Sequence, residues 1–310
     1  MLRRRNRARA PAIEQIASLA ERLAVLLAAG VPPSAVWGHL ADAIPLATVA
    51  AAADAAGEGE NVAVAIERAS RTAPASERAA WNALAAVWFV AVESGAPLAD
   101  CLRSTASAFR SLAQTERDLT VALAGPASTA RLVTALPAIG LLFGAALGFD
   151  TLRTLFATPP GWSCLLIGVA LMLGARLWNR RMIRRATPTD ASPGLVVDLI
   201  AVAMAGGGSA EHARELVTEA TRRFAVSTKG SDAVKSVFEL AGRAGIPVAE
   251  LMRSEAERIR LDARAEGQRA AATLAVRLML PLALCVLPAF MLLAVAPLML
   301  SIISSTIATL

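Results

Sequence analysis

Apolar residues recur along this chain at helical spacing, and the alternation expected of strands is almost absent. Ile13, Ile16, Ala20, Leu23 and Leu27 mark one face of a helix, with Glu14, Glu21 and Arg22 off it. Gly30 stands where a C-cap belongs, Pro32-Pro33 prevents continuation, and Ser34 is a candidate N-cap for the next helix. The same pattern predicts helices over 34–53, 60–70, 76–94 and 97–131, the last with a break at Gly125-Pro126.

Beyond residue 131 the amphipathic pattern gives way to uncharged runs. Residues 132–149 carry no charge over 18 positions. Residues 161–175 carry none either, and Leu177-Trp178 extend that run past Arg176, which can snorkel. Residues 278–310 are uncharged over 33 positions. About 20 apolar residues cross a bilayer, and a straight helix over the last run would be roughly 50 Å long. That run reads as one crossing with Pro281 and Pro288 as bends, followed by a tail. The rival, a hairpin of two short spans, lacks a turn signal. Pro137 is a third candidate bend.

The chain repeats itself. Gly95-Ala96-Pro97-Leu98-Ala99-Asp100 returns as Gly245-Ile246-Pro247-Val248-Ala249-Glu250, an offset of 150 residues. The offset persists downstream: Arg103, Arg110 and Glu116 match Arg253, Arg260 and Glu266. Leu199 to Gly206 aligns with Leu23 to Gly30 at an offset of 176. A fixed-offset repeat of this length marks a duplication. The corner Gly lies 65 residues after Gly30 in copy one and 39 after Gly206 in copy two, so copy one carries an added hairpin around 41–71. In each copy the Gly of Gly-x-Pro ends one helix and the Pro opens the next. Gly30, Gly95, Pro97, Gly206, Gly245 and Pro247 are therefore read as structural corners.

The predicted fold class is all-α: an integral membrane protein with two repeated cytoplasmic helical-bundle domains and three transmembrane helices. A basic tail (1–11) leads into bundle 1 (12–131) and a first span (132–149). An external loop (150–160) precedes a second span (161–178) and a basic cytoplasmic linker (179–192). Bundle 2 (193–276) follows, then a third span (277–303) and an external tail (304–310). Arg176, Arg180, Arg181, Arg184 and Arg185 set the orientation by the positive-inside rule, placing both bundles in the cytoplasm and the C-terminus outside.

Composition fits this picture. The chain has 310 residues, 55% hydrophobic and 4% aromatic, without Tyr, and its net charge is +6. The N-terminal Arg3-Arg4-Arg5 cluster lacks the apolar segment of a signal peptide and is read as a contact with anionic lipid, not with nucleic acid. Cys101, Cys164 and Cys285 have neither disulfide nor zinc spacing.

Little chemistry is expected. Gly206-Gly207-Gly208-Ser209 lacks a phosphate-loop pattern and reads as a turn. Gly57-Glu58-Gly59-Glu60-Asn61 has too few carboxylates for a calcium loop. His39 and His212 have no ligand or nucleophile spacing around them. No catalytic residue, cofactor or metal site is predicted. Spans without ionisable residues argue against the rival reading, a transporter or channel subunit. No nucleophile–base pair supports a membrane-bound enzyme. Arg103, Arg110, Glu116, Arg253, Arg260 and Glu266 have two readings. They form a solvated helix face with ordinary salt bridges, or they are candidate docking residues for a partner or the other domain.

These features together resemble the type II secretion system protein F family, the inner-membrane platform proteins of secretion systems, type IV pili and Tad pili. The resemblance rests on helices ending in Ala-Gly (Leu26 to Gly30 and, degenerate, Met204 to Gly206), on the two Gly-x-Pro corners opening long helices, and on the spans that follow. It covers about residues 12–300, and the Ala/Arg-rich loops look closer to the Tad-like branch. The resemblance implies a platform that couples a cytoplasmic secretion ATPase to the extraction and polymerisation of pilins. It also implies further platform subunits, with homo-oligomerisation, in a bacterial inner membrane.

Overall fold

A computed structural model describes residues 12–146, 155–156, 158–186, 192–297 and 299. The basic tail 1–11, most of the 150–160 loop, part of the 179–192 linker and the 304–310 tail lie outside them. Among the described residues every regular element is helical. The elements are α1 (Ala12–Ala28), α2 (Pro33–Ala41), α3 (Ala47–Glu58), α4 (Val62–Ser70), α5 (Ala75–Ser94), α6 (Leu98–Ala146), α7 (Pro159–Ala186), α8 (Leu195–Ala205), α9 (Ala210–Arg223), α10 (Ser231–Ala244) and α11 (Val248–Arg277). A further helical run continues from Met279 to Val295.

The chain divides into two compact units. Unit 1 comprises residues 1–117 and 189–266, and unit 2 comprises 118–188 and 267–310. The two bundles read from the sequence thus share unit 1, with one core drawn from both. The physical reason lies in α5 and α8. In α5 the residues from Ala80 to Ala91 are all buried, so this Ala-rich helix is packed on every side. In α8 Leu195, Val196, Val197, Leu199, Ile200, Ala201 and Ala203 are buried. A helix apolar on so much of its surface needs more cover than its own bundle provides, and it packs against α5. Phe89 of α5 meets Phe224, just past α9, with ring centroids 5.6 Å apart. Trp37 of α2 meets Trp88 of α5 at 5.2 Å. Removing one such fully buried large side chain costs about 3–5 kcal/mol.

Local signals explain most boundaries. Gly30 has φ +91°, and the amide of Val31 donates to the carbonyl of Leu26, closing α1 with a left-handed cap. Helix α2 begins one residue earlier than predicted, because Pro33 occupies its first turn and extended Pro32 precedes it, so Ser34 is no cap. The predicted helix 34–53 is two helices, α2 and α3, separated around Pro45, whose ring and missing N–H end α2. The added hairpin of copy one is α3 and α4, packed together. Its turn uses left-handed Gly59 (φ +74°) and Asn61, whose side chain accepts from the amide of Val64. The predicted break at Gly125-Pro126 is absent, and α6 continues through both residues.

Among the described residues two helices are long and apolar enough to cross a membrane, Pro159–Ile183 and the run Val248–Val295. Of the predicted first span, 132–146 continues α6 as helix and 147–149 lies outside the described residues. No turn interrupts the run from Met279 to Val295, which removes the hairpin rival over that stretch. Pro281 and Pro288 each precede a π-helical segment, Leu282–Val286 and Met291–Val295. Proline clashes with the carbonyl four residues back, and widening the turn is one way a helix accommodates it. Pro137 is buried inside α6, which stays helical around it.

Unit 2 is assembled on small residues. A Cβ added at Gly168 of α7 would lie 2.5 Å from Leu293 Cγ, and one at Gly140 of α6 would lie 2.8 Å from Ala294 Cβ. Both α6 and α7 therefore meet the C-terminal run where a side chain is missing, the usual device for close helix packing in a bilayer. Large apolar side chains such as Leu142, Leu166, Leu284 and Leu287 point outward, an exterior suited to lipid.

Candidate functional site

Two of the predicted corners meet in unit 1, where Gly206 lies against the backbone of Ser94, beside Gly95. Gly95 has φ +70° and Gly245 φ +68°, and each is followed, past one residue, by the Pro that opens the next helix. The two Gly-x-Pro corners thus have one backbone geometry. Gly206 departs from the prediction. Its φ is −76°, and the left-handed position falls on Gly207 at φ +85°. Gly206 is needed for a different reason: a Cβ there would fall on the backbone carbonyl oxygen of Ser94. The C-terminus of α8 is thereby pressed against the last turn of α5, beside the Gly95 corner. Ser209 caps α9 by accepting from the amide of His212.

From Gly95 the chain turns into α6, which runs antiparallel along α1. Arg110 donates to Glu21 at 3.1 Å and Arg117 to Glu14 at 2.6 Å. In copy two Arg260 of α11 donates to Asp198 of α8, and also to Glu257 at 2.9 Å. The matched arginines therefore do matched work, each tying the long helix of its copy to the first helix of that copy. The environments differ. Arg110 and Glu21 are about half exposed, so their pair contributes about 0–1 kcal/mol. Arg260 and Asp198 are only 10% and 15% exposed. Burial pushes the Asp198 carboxyl up to about 6, against the pull of Arg260.

The remaining candidates are more dispersed. Arg103 pairs with Asp100 one turn away, at 2.8 Å and in solvent. Arg253 is exposed yet close enough to favour the charged forms of both Cys101, on α6, and Asp198, on α8. It therefore lies where the two copies meet. Burial raises the Glu116 carboxyl, while Glu266 is exposed on α11. Burial also pushes the Cys101 thiol up to about 11, which keeps it an inert core thiol. Arg110 and Arg260 are committed to pairs within the chain.

The structure adds a feature that sequence reasoning missed. A groove of about 230 Å³ opens at the Gly95 end of unit 1. Trp88 and Phe89 form its floor, and Val92, Glu60 and Glu93 stand at its edge. Its walls come from the start of α2, the α3–α4 turn and the last turns of α5.

Among the described residues the chain is all-helical, with two helices long and apolar enough to cross a membrane, a class of helical protein suited to a bilayer. Residues 19–146 match the family model of type II secretion system (T2SS) protein F. No curated protein and no solved structure matches the chain. The matched segment covers α2 to α6 and most of α1, including the Gly95 corner, the Glu21–Arg110 pair and the groove.

Proposed function

We propose that the chain is an inner-membrane platform protein of a type II secretion or type IV pilus machine, of the Tad-like branch. In this role it couples a cytoplasmic secretion ATPase to the extraction and polymerisation of pilins. It has no catalytic centre of its own. Both parts of unit 1 are cytoplasmic, three helices cross the membrane, and the copies arose by duplication. The matching geometry of the Gly95 and Gly245 corners and the matching duties of Arg110 and Arg260 support that last point.

The observation that carries the reading is the family match at 19–146 joined to helical continuity. Helices α6 and α11 each begin in unit 1 and carry on into residues of unit 2. In this reading a motion imposed on the cytoplasmic turns of these helices is passed along the helix axis toward the membrane. The π segments after Pro281 and Pro288 are places where such a motion can be taken up, since π turns recur at functional positions.

The test is genetic. A cell lacking this chain should assemble no surface fibre and should keep its pilin in the membrane, and the unmodified chain should restore assembly. Pro288→Ala should reach the membrane at normal level yet restore assembly poorly. Normal fibres without the chain would sink the proposal. Full rescue by Pro288→Ala would remove the bend from the mechanism.

A further inference from the structure

We propose that the groove at the Gly95 end of unit 1 receives one aliphatic side chain flanked by Lys or Arg, presented by the secretion ATPase. This deepens the platform reading and rests on it. The groove's size, about 230 Å³, is below the roughly 300–1,000 Å³ of small-molecule sites, and suits a single large side chain. Its floor is apolar: Trp88 and Phe89 are only 4% and 6% exposed. Val92 stands 54% exposed at the lip, unlike its buried neighbours Val90 and Ala91. An aliphatic anchor would cover all three.

The charge at the edge selects the flanks of that anchor. Glu60 and Glu93 are exposed carboxylates, and no Lys, Arg or His lines the groove. The carbonyl of the Asn61 carboxamide is already engaged with the amide of Val64. Arg223 lies over the Phe89 ring at 5.5 Å but is not among the lining residues. A hydrophobic centre with an acidic rim complements a basic–aliphatic element.

Placement ties the groove to coupling. Glu93 is in the last turn of α5, and α6 opens at Leu98, so a load on the rim reaches α6 through one fixed corner. One wall is the α3–α4 turn, within the segment that copy one has and copy two lacks. The second copy lacks that wall, so the groove belongs to the first copy alone among the described residues.

The experiment uses the full chain in lipid nanodiscs and the purified secretion ATPase of the same organism's pilus system, with affinity read by biolayer interferometry at several salt concentrations. Glu60→Lys/Glu93→Lys should weaken binding about tenfold, mainly through slower association, and flatten its salt dependence. Val92→Asp should weaken it through faster dissociation. Glu211→Lys/Glu215→Lys, the same charge change on the exposed face of α9, should leave it unaltered. All of these positions are exposed, and unchanged melting temperatures would show that the variants fold.

ATPase binding that both groove variants leave unaltered would overturn the groove while the platform reading stands. Variants that change the oligomer mass but not ATPase affinity would make a second copy the occupant and likewise overturn it. No binding of the ATPase by the unmodified chain would overturn the coupling reading and this proposal together.

Discussion

At the scale of single residues, the glycines show how one residue type answers different demands. Gly95 and Gly207 supply a left-handed backbone, which costs any other L-residue about 1–2 kcal/mol. Gly206 instead supplies the absence of a side chain against the Ser94 carbonyl. Gly206→Ala should therefore force α8 away from α5 and cost about 1–3 kcal/mol. Gly207→Ala, in open space, should cost about 1 kcal/mol from backbone strain alone. Thermal unfolding of the detergent-purified chain should rank the first variant below the second. The reverse order would contradict the close approach.

Asp198 gives a second residue-scale prediction. Its carboxyl titrates near 6 in the folded chain and near the ordinary 3.8 when unfolded. Between about pH 4 and 6 the folded state therefore binds the proton more tightly. Its stability falls as pH rises through that window. Asp198→Asn removes the titration. The melting temperature of the variant, relative to the unmodified chain, should rise from pH 4 to pH 7. A flat difference would mean that the Arg260 pair offsets burial in full and that the folded carboxyl is not raised.

At the scale of elements, the amphipathic helices were legible and some of their junctions were not. The face predicted for α1 is the buried one: Ile13, Ile16, Ala20 and Leu23 are all 5% exposed or less. Periodicity reports burial directly, since only a core on one side selects apolar residues every three to four positions. The α2–α3 junction escaped because the surrounding sequence is Ala-rich and reads as helix throughout; Pro45 was the available signal. The Gly95 and Gly245 corners were legible because left-handed geometry is local. The Gly206 contact with Ser94 was not, because its cause lies 112 residues away in sequence. The groove was hidden for the same reason, being built from three separated segments. In unit 2, the close fit of Gly168 to Leu293 yields a paired test. Gly168→Ala should lower the melting temperature, and adding Leu293→Ala should recover part of the loss by making room. Strictly additive losses would show that the two residues do not touch.

At the scale of the whole molecule, the two stretches read as separate bundles do not form two independent domains. Residues from both copies form one core in unit 1, with α5 buried on all sides and α8 against it. The repeat was visible in the sequence, yet the merging of its bundles was not, because an apolar helix such as α8 does not declare which neighbour will cover it. Helices α6 and α11 both begin in unit 1. The central claim, that this body stands between a cytoplasmic motor and the pilins, is tested most directly in the native cell. The tagged chain would be mildly cross-linked, extracted in detergent and affinity-purified, and its partners identified by mass spectrometry. The account predicts recovery of a secretion ATPase together with small single-span pilins. Recovery of a solute-binding protein or a transporter ATPase in their place would contradict it.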